Sequence, residues 1–287
     1  YIQMILGLSA GFHDAGATLI DKTNGEILFA GHAERYSGVK NDSNLNQELI
    51  DDALSYGKPN NIAWYEKTWL KRTRQLYSGE WRKAIDFSTS PKKLIKPFMG
   101  KIPIHSYGHH KCHAAAGFQT SPYKNAIAIV VDAIGEWDTI SVWECSYKPV
   151  YLGRPKATYK KIWNQIYPHS IGLYYSAITK YIGLKPMEDE YITMGMAAYG
   201  KAYLQSYEKN KMLVDLDKIE FVDNFHAGIE EDYFVGSGLD KFDVAAGAQK
   251  VVEQLLRGLF ERFVTRQTNV VFMGGVALNC VANAMLE

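Results

Sequence analysis

The residues of this sequence best suited to chemistry are histidines, because four of the eight in the chain lie between residues 105 and 113. On a helix, His109 and His113 are one turn apart and face the same side, so their imidazoles suit a single metal ion. The same spacing also arises by chance, and imidazole alone does not choose between zinc and iron. The spacing predicts a divalent-metal site with His109 and His113 as two ligands and a further ligand supplied from elsewhere.

Two turns between apolar runs carry acidic side chains. His13 and Asp14 follow the first apolar run, and Asp132 and Glu136 follow a later one. A histidine beside a carboxylate suits a general base and its partner, although the same pair also stabilises a turn through Asx hydrogen bonds. Asp132 and Glu136 suit the binding of a metal or a water molecule near phosphate. A turn-capping role for Asp132 is the alternative.

A pair of glycines is a candidate nucleotide contact. Gly274 and Gly275 follow the apolar run 270–273 and precede a helical pattern. Glycines at such a junction let the backbone approach a nucleotide and direct helix N–H groups towards it. The alternative interpretation is a tight strand-to-helix turn that binds nothing.

The elements that would position these residues repeat along the chain. Asn24-Gly25 between two apolar runs predicts a hairpin in an antiparallel meander. A second strand–acidic-turn–strand unit follows later, and the repetition predicts a duplicated fold with a site between the copies. The predicted strands are 5–9, 17–21, 26–30, 126–132, 139–143 and 270–273, and the main predicted helices are 170–181 and 242–263.

Composition restricts the class of protein. The formal net charge of +1 offers no global field for nucleic acid or an acidic membrane. No apolar run reaches the roughly 18 residues of a membrane-spanning helix. Three cysteines are too few for a disulfide framework, which points to a reduced cytoplasm. We therefore expect a cytoplasmic globular protein with no membrane or nucleic-acid partner.

Eight segments in a common order resemble the O-carbamoyltransferases that include nodulation-factor and antibiotic-tailoring enzymes. The resemblance extends over almost the whole chain. The segments are GFHDAGATL, AERYSGVKND, WYEKTWLK, HHKCHA, VVDAIGEWDT, HSIGLYYSAITKYIGL, MGMAAYG and MGGVALNCVANAML.

The resemblance implies an α/β fold of the two-lobed actin-like ATPase type, shared with sugar kinases and heat-shock ATPases. The first lobe would span residues 4–122 and end in the HHKCHA helix, and the second would span residues 123–287 with an insertion at 201–240. In this family a YrdC-like domain makes carbamoyladenylate from carbamoyl phosphate and ATP. The actin-like domain then passes the carbamoyl group to a small-molecule hydroxyl and releases AMP.

The resemblance also implies roles for individual residues. His109 and His113 match two metal-binding histidines, which usually hold ferrous iron, with zinc as the alternative. His13 matches the histidine of the first turn and is the candidate base. Asp132 and Glu136 match the acidic turn that faces the reaction centre. The adenosine-binding segment is matched by Gly274, Gly275 and Asn279.

The chain departs from the family pattern at several positions. Ala133 stands where glycine is usual, Ile192 where lysine is usual, and Met196 where the MGLA motif has leucine. The family's later aspartate segment and its YrdC-like domain do not occur before Glu287. From this we expect two-ligand metal binding and a truncated or split protein that needs a second polypeptide, or a second copy of itself, for stability and turnover.

These departures leave two other functions open. One is a non-catalytic nucleotide-binding half of a split or degenerate assembly. The other, weaker alternative is threonylcarbamoyl transfer to tRNA, which the near-zero net charge disfavours.

Overall fold

The computed structural model of the chain describes residues 3–149, 155–203, 213–215 and 219–286. The chain forms two compact units, residues 1–112 and 113–287. The boundary between the units falls in the first turn of one continuous helix, His109–Thr120. The lobe boundary at 122, at the end of this helix, remains a prediction.

The first unit is built on a mixed sheet. Its strands are β1 (Met4–Ser9), β2 (Gly16–Asp21), β3 (Ile27–His32), β4 (Asn61–Trp64) and β5 (Ile104–Ser106). Their order is β3-β2-β1-β4-β5, with β1 to β3 antiparallel and β4 and β5 parallel to β1. The predicted hairpin at Asn24-Gly25 is confirmed, and Gly25 has φ +75°, a value that favours glycine.

Short helices connect and cover this sheet. They are α1 (Glu34–Ser37), α2 (Gln47–Ser55), α3 (Thr68–Tyr77), α4 (Trp81–Ile85) and α5 (Pro91–Ile95). Helix α2 begins where the Asn46 side chain accepts a hydrogen bond from the Leu49 N–H at 2.9 Å. Leu49 and Ile50 then pack, fully buried, with Leu6 and Leu19 of the sheet. The first unit thus has a hydrophobic core of its own.

The second unit repeats the same strand pattern. Its main sheet consists of β6 (Asn125–Val131), β7 (Asp138–Lys148), β8 (Lys156–Ile166) and β11 (Val270–Met273). The order is β8-β7-β6-β11, with β6 to β8 antiparallel and β11 parallel to β6. This order and these directions match β3-β2-β1-β4 of the first sheet, as the repeated strand–turn–strand pattern predicts. The protein is therefore a mixed α/β protein with two related sheets.

The α-helices described in the second unit are α6 (His109–Thr120), whose first turn belongs to the first unit, α7 (Ile171–Tyr181), α8 (Glu190–Ala197), α9 (Lys241–Phe263) and α10 (Cys280–Asn283). The sequence predicts one buried stripe on α7, but all residues from Ile171 to Thr179 are buried, because the helix lies inside the core. Helix α9 buries the predicted apolar side, including Val251, Leu255 and Leu256. Among the described residues, no helix is both long and apolar enough to cross a bilayer.

The segment predicted as an insertion, 201–240, is partly described. Strands β9 (Leu213–Asp215) and β10 (Glu220–Phe221) pair antiparallel, and residues 204–212 and 216–218 lie outside the described ranges. Phe221 stacks on Tyr174 of α7 with ring centroids 5.5 Å apart, and Phe225 contacts the same ring edge-on. This part of the segment therefore belongs to the core of the second unit.

Candidate metal centre and the adjoining glycine turn

Helix α6 presents both candidate metal-binding histidines along one stripe. His109, His113 and Gly117 succeed one another every four residues, which aligns them on a helix. A Cβ added to Gly117 would lie 2.7 Å from Cγ of Met273, so the helix packs closely on β11 at this point. Ala114 and Phe118 lie in the core beside it. This packing fixes the direction in which the histidine stripe faces.

The carboxylate of Asp132 completes a group of three potential ligands. Asp132 directly follows β6, and its Oδ2 lies 3.4 Å from Nε2 of His113. One ligand atom from each of His109, His113 and Asp132 lies within 4.8 Å of the others, and all three residues are half-buried. Two imidazole nitrogens and a carboxylate oxygen form a donor set that suits zinc or ferrous iron. The turn position of Asp132 had already suggested a ligand for a metal or a water molecule. The fold brings this side chain to the two histidines, so that three potential ligands converge where two were expected.

The second oxygen of Asp132 holds the neighbouring turns. Its Oδ1 accepts hydrogen bonds from the Ala133 N–H at 2.8 Å and the Gly275 N–H at 3.4 Å. Gly275 reaches this position because β6 and β11 are parallel neighbours, so their carboxyl ends meet at the same edge of the sheet. A single carboxylate therefore links the candidate metal ligands to the glycine turn.

The glycine turn accepts no side chain at its first position. Gly274 has φ +96°, and a Cβ added there would lie 2.3 Å from the carbonyl oxygen of Val131. At Gly275 an added Cβ would meet only Oδ1 of Asp132, at 3.2 Å. Gly274 is thus required by the fold. Gly275 is a half-open position at which a ligand can approach the backbone.

Asn279, the third residue predicted to bind the nucleotide, makes several hydrogen bonds within the protein. Its Oδ1 accepts from the Ala282 N–H at 3.0 Å and so begins α10, and its amide exchanges hydrogen bonds with Gln249 at 2.9 and 3.1 Å. Gln249 also accepts from the Tyr175 hydroxyl at 2.9 Å. Burial raises the pKa of Tyr175 well above its ordinary value, so this hydroxyl stays a donor. Asn279 is therefore held in place by α7 and α9.

The turn after β6 is supported from the start of α7. The Ser170 hydroxyl donates to the Ala133 carbonyl at 2.6 Å, and the same oxygen accepts from the Leu173 N–H at 3.1 Å to cap the helix. A Cβ on Gly172 would lie 2.7 Å from Cα of Ala133. The close packing between this turn and α7 at Ala133 is thus permitted by Gly172. Ala133 itself is not among the described residues with positive φ.

Glu136 lies in the same β6–β7 turn and is buried, with 7% of its surface exposed. The turn closes through the hydrogen bond from the Gly135 N–H to the Asp138 carbonyl at 2.8 Å. The group of potential metal ligands consists of His109, His113 and Asp132. A role for Glu136 in the reaction remains a prediction.

The first unit positions the candidate base. Nδ1 of His13 lies 2.7 Å from Oδ2 of Asp14, and both side chains are partly exposed. Asp14 has φ +46°, an uncommon backbone value for a residue other than glycine, and its N–H donates to the Asn41 carbonyl. With Asp14 accepting from Nδ1, the lone pair of His13 is directed to Nε2, where a base requires it.

Tyr65 links the His13 turn to His109, the first candidate metal ligand. Its hydroxyl donates to the Ala10 carbonyl at 3.3 Å, and its ring meets that of His109 edge-on with centroids 5.7 Å apart. Sequence reasoning assigned no role to Tyr65, Gln249, Ser170 or Gly172, although Tyr65, Ser170 and Gly172 lie within the family-like segments. Each of the four contacts a residue far away in the sequence, so a segment shows where the residue lies but not what it contacts.

Comparison with known protein families assigns this mixed α/β protein to a class of transferases. The family model described as carbamoyltransferase N-terminus matches residues 63–287. The chain belongs to this family.

Curated relatives match over most of this chain. An uncharacterised protein of Synechocystis is 28% identical over 98% of this chain and 52% of its own length. An uncharacterised protein of Methanocaldococcus jannaschii is 26% identical over 99% of this chain and 52% of its own. The nodulation protein NolNO of Sinorhizobium fredii is 23% identical over 96% of this chain and 42% of its own. The chain spans about half the length of the first two relatives.

Solved structures include a similar chain in HypF of T. kodakarensis. That likeness has a TM-score of 0.49 at 12% identity and covers 99% of this chain and 43% of the HypF chain.

Proposed function

We propose that this chain carries out the transfer step of an ATP-dependent O-carbamoyltransferase, moving a carbamoyl group from carbamoyladenylate to a hydroxyl of a small molecule. The observation that carries the proposal is the carboxylate of Asp132. One of its oxygens lies beside His113, and the other accepts from the Gly275 N–H. A single side chain thus couples a candidate metal centre to a candidate nucleotide turn, which suits a phosphate-bearing donor.

The residues present fit a divalent metal, because two imidazoles and one carboxylate converge within 4.8 Å. His109, His113 and Asp132 would hold it, with ferrous iron preferred and zinc the alternative. When bound, the metal supplies positive charge that neutralises phosphate and makes AMP a better leaving group. The nucleotide would approach the backbone at Gly275, where an added Cβ would meet only Oδ1 of Asp132 at 3.2 Å.

His13 takes the proton of the acceptor hydroxyl in this proposal. Its Nε2 carries the lone pair, since Asp14 accepts from Nδ1 at 2.7 Å and fixes the tautomer. The hydroxyl oxygen then forms a bond to the carbamoyl carbon, the carbon–phosphate oxygen bond breaks, and AMP leaves with the bonding electron pair. The imidazolium that forms is stabilised by the Asp14 carboxylate.

The donor would come from a second, YrdC-like domain or polypeptide that forms carbamoyladenylate from carbamoyl phosphate and ATP. The curated relatives are about twice as long as the part that this chain matches, which leaves room for such a domain in them. This part of the protein would therefore carry out the transfer step and would use the donor that such a domain forms.

A non-catalytic nucleotide-binding role has less support. Its arguments are Ala133 in place of glycine, Ile192 in place of lysine and the absence of the family's later aspartate segment from residues 1–287. Ala133 has no positive φ, and Gly172 provides the close approach at this turn, so the methyl group does not strain the site. His109, His113 and Asp132 also supply three potential metal ligands.

To test the proposed transfer activity, the purified chain is mixed with a separately produced YrdC-like domain, ATP, carbamoyl phosphate and a panel of polyhydroxylated acceptors. We expect AMP release and acceptor carbamoylation that require the chain. The His13→Gln variant should lower the rate roughly 100-fold or more, because a general base contributes that much. Mass spectrometry of the acceptor and an AMP assay measure both products.

His32→Gln is the matched control, since His32 is an exposed histidine of the same unit. It should leave the rate nearly unchanged. AMP release that does not depend on the chain, or equal rates for the two variants, would contradict the proposal.

A further inference from the structure

Helix α3 is turned with polar side chains inward and apolar side chains outward. Its buried residues are Arg74 and Gln75. In contrast, Trp69, Leu76 and Tyr77 are 64%, 56% and 69% exposed. Trp69 and Leu76 are seven residues apart, which is two helical turns, so they lie on one outward stripe. Hydrophobic side chains normally occupy the buried side of a helix. An apolar stripe on the exposed side, as on α3, is typical of a surface that binds another molecule.

The inverted orientation is fixed by polar contacts beneath the helix. Nη1 of Arg74 lies 3.7 Å from a carboxylate oxygen of Glu80, and the Glu80 N–H donates to the Gln75 carbonyl at 2.8 Å. Lys71 pairs with the buried Glu66 at 3.1 Å. A rotation of α3 that hid Trp69 would break these pairs inside the protein, and leaving buried charges unpaired is costly. The outward stripe is thus a stable feature of the fold.

The next elements extend the same kind of surface. Trp81 and Ile85 lie one turn apart on α4 and are 55% and 59% exposed, and Phe87 is 58% exposed. The guanidinium of Arg72 lies 3.9 Å from the centre of the Phe87 ring. We name these side chains the aromatic–basic surface, which comprises Trp69, Leu76, Tyr77, Trp81, Ile85 and Phe87 together with the lysines and arginines of residues 67–101.

Positive charge is concentrated in this segment. Residues 67–101 contain ten lysines and arginines and two acidic residues, whereas the whole chain has a net charge of only +1. The exposed lysines include Lys83, Lys92, Lys93 and Lys96. From the near-zero net charge of the whole chain we expected no membrane partner. Residues 67–101 are nevertheless strongly basic.

We propose that the aromatic–basic surface docks the protein on an anionic lipid bilayer. Tryptophan and tyrosine favour the interface between headgroups and acyl chains, and lysine and arginine are attracted to anionic headgroups. Single-stranded nucleic acid would also attract basic and aromatic residues. Leu76 and Ile85 favour the bilayer, because an aliphatic side chain has no ring face to stack on a base but gains from contact with acyl chains. The mode of binding is peripheral, by helices lying in the interface.

The surface adjoins the turn that carries the candidate base. Nζ of Lys71 lies 5.6 Å from the centre of the Phe12 ring, and a Cβ on Gly11 would lie 3.2 Å from Leu94 of α5. Docking would therefore bring the His13 turn near the bilayer. The docking proposal stands on the surface alone and does not depend on the proposed enzyme activity.

Cosedimentation with vesicles tests the proposal. Vesicles of equal parts phosphatidylcholine and phosphatidylglycerol should bind the chain, and vesicles of phosphatidylcholine alone should bind it weakly. Binding to the anionic vesicles should fall as salt is added. The double variant Trp69→Ser/Trp81→Ser should bind roughly tenfold more weakly or worse, because two large apolar side chains no longer enter the interface. Lys92→Glu/Lys93→Glu should weaken binding by roughly tenfold as well.

The controls change similar residues elsewhere. Tyr191→Ser/Tyr199→Ser removes two aromatic rings that are 60% and 84% exposed, and Lys124→Glu/Lys148→Glu reverses two other exposed lysines. Both should bind as the parent does, and circular dichroism should show all variants folded. Absence of vesicle binding, or equal loss in the test and control variants, would overturn the proposal. Binding of single-stranded RNA without vesicle binding would overturn it in favour of a nucleic-acid partner.

Discussion

At the scale of single residues, Asp132 combines two roles in separate oxygens. Oδ2 lies beside His113, and Oδ1 accepts from the Ala133 and Gly275 N–H groups. Asparagine retains a carbonyl oxygen that can accept both backbone hydrogen bonds, but its NH2 group cannot bind a metal. We therefore expect Asp132→Asn to keep the fold and to lower metal affinity by roughly 100-fold, at the upper end of the cost of disturbing such a site.

Asp132→Ala should lose metal binding and also about 1 kcal/mol of stability, because the Ala133 and Gly275 N–H groups lose their acceptor. His105→Ala is the control, since His105 is an exposed histidine outside the ligand group. Metal content after anaerobic reconstitution with ferrous iron or zinc, and urea unfolding, measure the two effects. Equal metal content in the parent and Asp132→Asn would remove Asp132 from the ligand set.

At the scale of elements, the two adjacent glycines that follow β11 differ in how much space surrounds them. Gly274→Ala places a methyl group 2.3 Å from the Val131 carbonyl at φ +96°, whereas Gly275→Ala meets only the movable Asp132 carboxylate at 3.2 Å. The first substitution should cost about 2 kcal/mol or more, because both the backbone conformation and the parallel strand must yield. The second should cost less than about 0.5 kcal/mol.

A measurement of nucleotide binding distinguishes a structural role of the glycine turn from a ligand-binding role. If adenosine lies near the turn, Gly275→Ala should weaken ADP or AMP binding while unfolding at nearly the parent urea concentration. Calorimetry and urea titration of the same samples provide the comparison. Unchanged affinity in a folded Gly275→Ala variant would place the nucleotide elsewhere, and equal stability losses at both positions would contradict the packing described.

At the scale of the whole molecule, the two units have separate hydrophobic cores. Trp64, Leu6 and Leu49 belong to the first, and Ile129 and Leu256 belong to the second. A ligand stabilises the part of a protein that it binds, and that part opens less often. Metal should therefore slow hydrogen exchange in α6, at the end of β6 and in residues 274–279. The strands β2 and β3 should exchange as before.

Hydrogen exchange followed by mass spectrometry, with and without ferrous iron or zinc, checks this expectation. Asp132→Asn is the control, because it should show little change on adding metal. Protection that appears equally in β2 and β3, or that persists fully in Asp132→Asn, would show that the metal binds outside the group of His109, His113 and Asp132.

The sequence by itself determined the features that depend on local chemistry. Apolar runs and Asn24-Gly25 between them predicted the first meander, whose Gly25 has φ +75°. The four-residue spacing of His109 and His113 predicted a shared face, and these residues do lie on one helix. Ordered motifs predicted the carbamoyltransferase family, to which the chain belongs. Each of these signals lies within a few neighbouring residues or in the order of motifs, so it can be recognised without coordinates.

Only the tertiary structure decided which distant residues meet. Asp132 joins the histidines because Gly117 lets α6 pack on β11, and it joins Gly275 because β6 and β11 are parallel neighbours. The inward polar side of α3 was equally invisible in the sequence, since the burial of Arg74 and its pairing with Glu80 arise only in the folded chain. Burial and proximity across 143 residues of sequence, the separation of Asp132 and Gly275, arise from packing and sheet register. The periodicity of a single segment carries no information about them.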